Sequence, residues 1–185
     1  GTPGGLAFWD ANSGAPLSDR LGASAARWVE EIVFSHNGSK MAVASNAGTA
    51  LHQWDVDTWH PIATPAETGS NALAVAYSPD GDVIATGHID GGVHLWNATT
   101  HAQIGLDLAH PGTAQGVVFS PDGRTLAVCS GDNSYRLWDV ASGETLGVPI
   151  PERGFPDDIR FSPDGQHLAV AADQSTVRVW RVLSE

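Results

Sequence analysis

Val117-Val118-Phe119-Ser120-Pro121-Asp122-Gly123 is a short apolar run that breaks into a turn. Proline at the second turn position, with Asp-Gly behind it, reverses the chain between two strands. Leu126-Ala127-Val128-Cys129 follows as the next strand, and Gly131-Asp132-Asn133 turns the chain again. Tyr135-Arg136-Leu137-Trp138 has the alternating faces of a third strand. Ala141-Ser142-Gly143 makes another turn, and Thr145-Leu146-Gly147-Val148 is a weak fourth strand. The stretch predicts one unit of four antiparallel strands.

The same unit recurs on both sides. Trp54, Trp96, Trp138 and Trp180 are spaced by 42 residues each time, and Trp9 lies 45 before Trp54. A second marker keeps step: Ser35-His36-Asn37-Gly38, Ser78-Pro79-Asp80-Gly81, Ser120-Pro121-Asp122-Gly123 and Ser162-Pro163-Asp164-Gly165, spaced by 43, 42 and 42. Two markers sharing one period define a repeat. No stretch has helical periodicity, so the chain is expected to be all-β.

Composition agrees with a folded domain. Hydrophobic residues make up 42% of the 185 residues and charged residues 16%, enough for a core and against general disorder. The net charge is −12, and Lys40 is the only lysine. So acidic a surface repels phosphate backbones, which argues against nucleic acid as a partner. No apolar run approaches the roughly 18 residues of a membrane span. Cys129, the single cysteine, cannot pair within the chain and is expected to be a small core residue; its solitude fits a reducing cytoplasm.

The pattern resembles WD40 repeats over nearly the whole chain. It is carried by Trp-Asp at 9–10, 54–55 and 138–139, with Trp96-Asn97 and Trp180-Arg181 as degenerate copies. The resemblance implies a β-propeller of four-stranded blades around a channel. The expected divisions are 1–24 (third and outer strands of a partial blade), 25–66, 67–108, 109–150, and 151–185 (a blade lacking its outer strand). The resemblance also implies a buried tetrad in the third complete blade, His110, Ser130, Asp132 and Trp138. There Asp orients the imidazole, the imidazole meets the hydroxyl, and the hydroxyl meets the indole N–H. The other blades look incomplete. Thr68, Ala25 and Glu152 stand where histidine belongs, His88 stands where the hydroxyl belongs beside Asp90, and Asp173 is displaced by one residue.

Catalytic and metal readings find little support. The eight histidines show no HxH or HExxH spacing and no cysteine pair accompanies them. His52, His94, Arg136 and Arg178 share one repeat position, two before the tryptophan, and are expected to be partly solvated. Glu30-Glu31 and Asp157-Asp158 are equivalent acidic pairs. Neighbours on a strand face opposite ways, so neither pair is expected to form a dyad, and both read as solvated rim. No catalytic residue, metal or cofactor is expected. An enzyme of the propeller type would need polar residues converging on the channel, and the repeat shows no such cluster. Trp59 is expected to pack against the next blade.

The candidate partner-binding rim is Arg27, Trp28, Arg153 and Phe155. Trp28 and Phe155 are seven residues before Ser35 and Ser162, each close behind an arginine, on loops that enter the inner strands. Aromatic and arginine side chains on an exposed rim suit a binding hot spot; aromatic packing between blades is the competing reading. The function expected from the resemblance is a non-enzymatic protein-interaction scaffold or sensor, the C-terminal part of a larger bacterial, cytoplasmic signalling protein. Seven blades are usual for the family. The ring is therefore expected to be completed by upstream blades of the parent chain or, alternatively, by a second copy making an eight-bladed homodimer.

Overall fold

The computed structural model describes residues 9–16, 29–45, 51–64, 66–67, 69–152, 154, 156–172 and 176–182. Every strand pair among them is antiparallel, and the described residues contain no helix.

Four sheets follow one another along the chain. Blade one holds β1 (Val29–Phe34), β2 (Lys40–Ser45) and β3 (Leu51–Asp55). Blade two holds β4 (Ala72–Tyr77), β5 (Val83–His88), β6 (Gly92–Asn97) and β7 (Gln103–Ala109). Blade three holds β8 (Ala114–Phe119), β9 (Thr125–Ser130), β10 (Ser134–Asp139) and β11 (Ile150–Pro151). Blade four holds β12 (Pro156–Phe161), β13 (His167–Ala172) and β14 (Thr176–Arg181). Isolated bridges Leu51–Ala66 and Trp54–Pro61 mark the outer strand of blade one. A further bridge, Trp9–Pro16, belongs to the partial blade.

The Ser-Pro-Asp-Gly turns work as their residues dictate. Ser78 Oγ donates to Asp80 Oδ1 at 2.5 Å, and the Asp82 amide donates to the same oxygen at 3.0 Å. Ser78 Oγ in turn accepts from the Val83 amide at 2.9 Å. Gly81 takes φ of 77°, a left-handed conformation that a side chain disfavours. Ser120-Asp122 and Ser162-Asp164 repeat the arrangement, and Asn37 stands in for the aspartate in blade one. The hydroxyl and amide donors hold the carboxyls of Asp80, Asp122 and Asp164 below the usual range.

Seams between blades form the core, because each sheet is apolar on both faces. Ala42, Ala44 and Leu51 of blade one meet Val75, Ile84 and Trp96 of blade two. Val93 and Leu95 meet Val117, Leu126 and Trp138 across the second seam. Cys129 and Tyr135 meet Ile159, Leu168 and Val170 across the third. Cys129 is thus fully buried. The repeat tryptophans hold one register: Trp54, Trp96, Trp138 and Trp180 oppose Met41, Ile84, Leu126 and Leu168 on the second strands. The first three are buried, whereas Trp180 is 39% exposed and Trp9 62%. Two blade faces are open. Val177 and Val179 are 68% and 65% exposed, although Leu51, Val93 and Tyr135, which match Val177, are fully buried. On blade one Ile32 is exposed where Val75 and Val117 are buried, and Phe34 where Phe119 is buried.

Trp59 packs within its own blade, against Met41, Val43 and Trp54, not against the next one. Its φ is 57°, in the left-handed turn position that His101 shares and that Gly14 and Gly143 fill in their units.

Candidate functional site

Each inner strand begins with a bulge at the same place: Val29/Glu31, Ala72/Ala74, Ala114/Gly116 and Pro156/Asp158. The bulge breaks the simple alternation that made both acidic pairs read as solvated rim. Asp158 is exposed and pairs with Arg160 at 2.9 Å. Glu31 is half-buried, and its Oε2 accepts the Val75 amide of the next blade at 2.9 Å. Burial pushes its carboxyl up, against the pull of that amide and of Arg160.

The inner strands line one cavity of about 560 Å³, with Glu31 and Arg160 on its wall. Polar groups from blades one and four therefore do converge there, contrary to the sequence expectation. Arg160 Nη1 is already held by the Ile159 carbonyl at 3.0 Å and by Asp158. Ala76 and Val118 occupy the Arg160 position in the middle blades and offer no acid, base or nucleophile.

Behind this wall lie buried polar contacts that differ from blade to blade and from the single tetrad the resemblance implies. In blade three the Trp138 indole N–H donates straight to His110 Nε2 at 3.0 Å. Arg136 Nη1 lies 3.0 Å from His110 Nδ1, and Arg136 Nη2 donates to Asp132 Oδ2 at 3.0 Å. Asp132 also accepts from Ser134 Oγ at 2.6 Å, and its amide donates to Ser130 Oγ at 3.3 Å. The hydroxyl does not stand between imidazole and indole; Arg136 stands between aspartate and imidazole. The indole reaches the imidazole directly, which leaves no place for a hydroxyl between them. Both neighbours of the His110 ring are donors, so an imidazolium has no acceptor there. Burial, then the Arg136 charge, pushes His110 down to about 4.

Blade two builds a relay that the sequence reading missed. The Trp96 indole N–H donates to Thr86 Oγ1 at 2.8 Å. Thr86 is 2.8 Å from His88 Nε2, and His88 Nδ1 is 3.1 Å from the Ser70 carbonyl. The Ser70 carbonyl can only accept, so Nδ1 carries the ring proton, and in the neutral ring Thr86 accepts from the indole and donates to Nε2. Burial pushes His88 down to about 4, and the neighbouring His94 acts the same way. The sequence expectation placed a hydroxyl at position 88 and a histidine on the preceding loop. The signal that could have found the relay is Thr86 two residues before His88, on the same strand face as Trp96 requires. Thr86→Val keeps the shape and strands the indole N–H. It is expected to lower unfolding stability by roughly 1–3 kcal/mol, read from urea denaturation; an unchanged midpoint would remove the relay from the account.

Blade four replaces the network by an ion pair. Glu152, at the His110 position, is buried and meets Arg178 at 2.6 Å. In blade one His52 stacks on Trp54 with ring centroids 5.7 Å apart. The position two before the tryptophan is partly solvated, as expected, and its side chains are also paired: Arg136 and Arg178 each meet a carboxylate, and His94 meets Asp107 at 2.6 Å. A further lock crosses the first seam. Gln53 donates to the Tyr77 hydroxyl at 2.6 Å, and its amide oxygen lies 2.7 Å from His101 Nε2. Burial pushes Tyr77 up to about 12.

The candidate rim, Arg27, Trp28, Arg153 and Phe155, lies outside the described residues, as do Ala25, Thr68 and Asp173. Among the described residues no group of three or more His, Cys, Asp or Glu side chains is placed to hold a metal ion. None of their elements is a helix long and apolar enough to cross a membrane.

Stacked four-stranded antiparallel sheets with a tryptophan-marked third strand define a blade-repeat protein. The family described as "WD domain, G-beta repeat" matches at residues 59–97, 106–139 and 157–181, together more than half of the chain. The chain belongs to the WD40 repeat family. It is 40% identical over 68 residues to the human "WD repeat and SOCS box-containing protein 1", a match covering 36% of this chain and 15% of that protein's length. WD40 repeats mediate protein–protein interaction, and the chain has that general role.

Proposed function

We propose that the chain is a non-enzymatic docking scaffold, part of a larger bacterial signalling protein of the cytoplasm. One observation carries the reading. The histidine, threonine and tryptophan side chains that could resemble catalytic groups are engaged inside the blades: Trp96–Thr86–His88 and Trp138–His110. That use leaves loop surfaces as the working part. The near-absence of lysine supports a high-GC bacterial source, and the single buried cysteine supports a reducing compartment. The net charge of −12 disfavours nucleic acid and anionic membranes as partners. The human relative's name joins WD repeats to a second element, which supports a parent protein with further parts.

We place the partner on the rim formed by Arg27, Trp28, Arg153 and Phe155. A second reading makes self-assembly the function, two copies completing an eight-bladed ring; the open Val177–Val179 face favours it. One experiment separates them. Light scattering on the 185-residue chain is combined with affinity capture by the wild type and by Trp28→Ala/Phe155→Ala. A monomer whose captured protein is lost in the double variant, at unchanged thermal stability, supports the scaffold. A two-fold dimer indifferent to the rim change supports self-assembly.

A further inference from the structure

The inner strands share an apolar plan that the two end blades break. Glu31 opposes Ala44 on β2, and the same register position holds Ala74, Gly116 and Asp158 in the later blades. Arg160 opposes Ala169 on β13, where the earlier blades have Val33, Ala76 and Val118. Glu31 and Arg160 both border the cavity of about 560 Å³, a size ordinary for ligand sites. Its walls also present the accessible apolar side chains Val33, Phe34, Ala76 and Val118.

The charges on this wall do not balance. Arg160 Nη1 is bound by Asp158 Oδ1 at 2.9 Å, so the two are neutral as a unit, and they act on Glu31 with opposite signs. What remains is the Glu31 carboxylate. Its Oε2 accepts the Val75 amide at 2.9 Å, while none of the described residues engages Oε1. Burial pushes this carboxyl up, as it does for a negative charge short of compensation. A guanidinium fork uses two oxygens, whereas an ammonium is a point charge that one oxygen satisfies. Lys40, the one lysine of the chain, is half-buried at the start of β2, which points to a different protein as the source of that ammonium.

We propose that the inner-strand cavity receives a lysine side chain of a protein partner, its ammonium bound by Glu31 and its methylene stem lying along Val33, Phe34, Ala76 and Val118. Long basic side chains bury their stems on apolar surface in this way. The net charge of −12 draws a basic partner in before the contact forms. Asp158 has a positioning role: by holding Arg160, it keeps the chain's own cation from cancelling the pull of Glu31 on the incoming one. The inference rests on the scaffold reading only in drawing the ammonium from a protein, and it does not use the rim.

Two capped peptides test it, acetyl-Ala-Lys-Ala-amide and its norleucine counterpart, titrated into the full chain and followed by the NMR shift of the Val75 amide. The lysine peptide is expected to bind roughly ten-fold more tightly than the norleucine one, the scale of one charge-assisted hydrogen bond. Glu31→Gln keeps an acceptor for the Val75 amide and removes the charge, so the preference should vanish. Arg160→Gln removes the competing cation and should tighten the lysine peptide by about two- to five-fold, a change opposite in sign to that of a structural defect. Should Glu31→Gln fail to fold, the norleucine comparison and Arg160→Gln decide. Equal affinities for the two peptides, a preference that survives Glu31→Gln, or weaker binding by Arg160→Gln would overturn the proposal. Peptide binding reads the pocket and protein capture reads the scaffold, so either can fail alone.

Discussion

Lowering the pH from about 7 to about 4 is expected to destabilise the folded chain by several kcal/mol before its turn aspartates begin to protonate. His88 and His110 each fall from 6.5 to about 4 on folding. Both are buried, which disfavours the charged ring, and His110 moreover faces the Trp138 and Arg136 donors, so an imidazolium finds no acceptor there. Their folded values are depressed, so below 6.5 the unfolded chain takes up protons that the folded chain refuses until about 4. Stability is therefore complete above about pH 6.5 and is lost progressively down to about pH 4, by about 2–4 kcal/mol for each ring. The turn aspartates act in a lower window. Asp80, Asp122 and Asp164 have lowered values, so what they contribute disappears only as pH falls through those values. Thermal unfolding at steps between pH 7 and pH 4 reads the first window. His110→Gln should flatten part of the slope. A melting temperature that stays level across the window would mean that these rings are solvated and titrate normally.

Gly91→Ala is the substitution expected to cost most for its size. Gly91 has φ of 88°, and its carbonyl accepts the His110 amide at 2.9 Å. An alanine Cβ would stand 2.3 Å from the His110 carbonyl oxygen and 2.7 Å from that of Gly112. Both are backbone atoms of the loop that delivers His110 to Trp138, so they cannot step aside as a side chain could. The expected loss is about 3–5 kcal/mol, backbone strain and displaced loop together. Gly143→Ala is the control. It shares a positive φ of 69°, yet its Cβ would meet only Leu108 Cδ2 at 3.5 Å, so about 1 kcal/mol of strain is expected. Denaturant midpoints within about 1 kcal/mol of each other would contradict the close approach.

The blade plan was legible because it is written locally. Ser-Pro-Asp-Gly specifies a turn through its own hydroxyl and carboxylate, and alternation in Tyr135-Arg136-Leu137-Trp138 specifies a strand face. The candidate rim is a residue pattern at 27–28, 153 and 155, outside the described residues. The polar networks were legible least. Aligning positions to one template predicts a serine hydroxyl against Trp138, whereas Arg136 is long enough to join Asp132 to His110 directly. The same alignment hides Thr86, because blade two moves the hydroxyl two residues and the histidine onto the second strand.

By itself, the amino-acid sequence determined the all-β class, the 42-residue period, the turn chemistry and the common register of the repeat tryptophans, since each depends on residues within one hairpin. Only the tertiary structure decided which polar groups meet: Glu31 with the Val75 amide, Gln53 with Tyr77 and His101, Arg178 with Glu152, Asp107 with His94. Such contacts cross seams or bulges. Their partners are chosen by side-chain reach and by the backbone offset of a register shift, and neither quantity is encoded at any single position of the repeat.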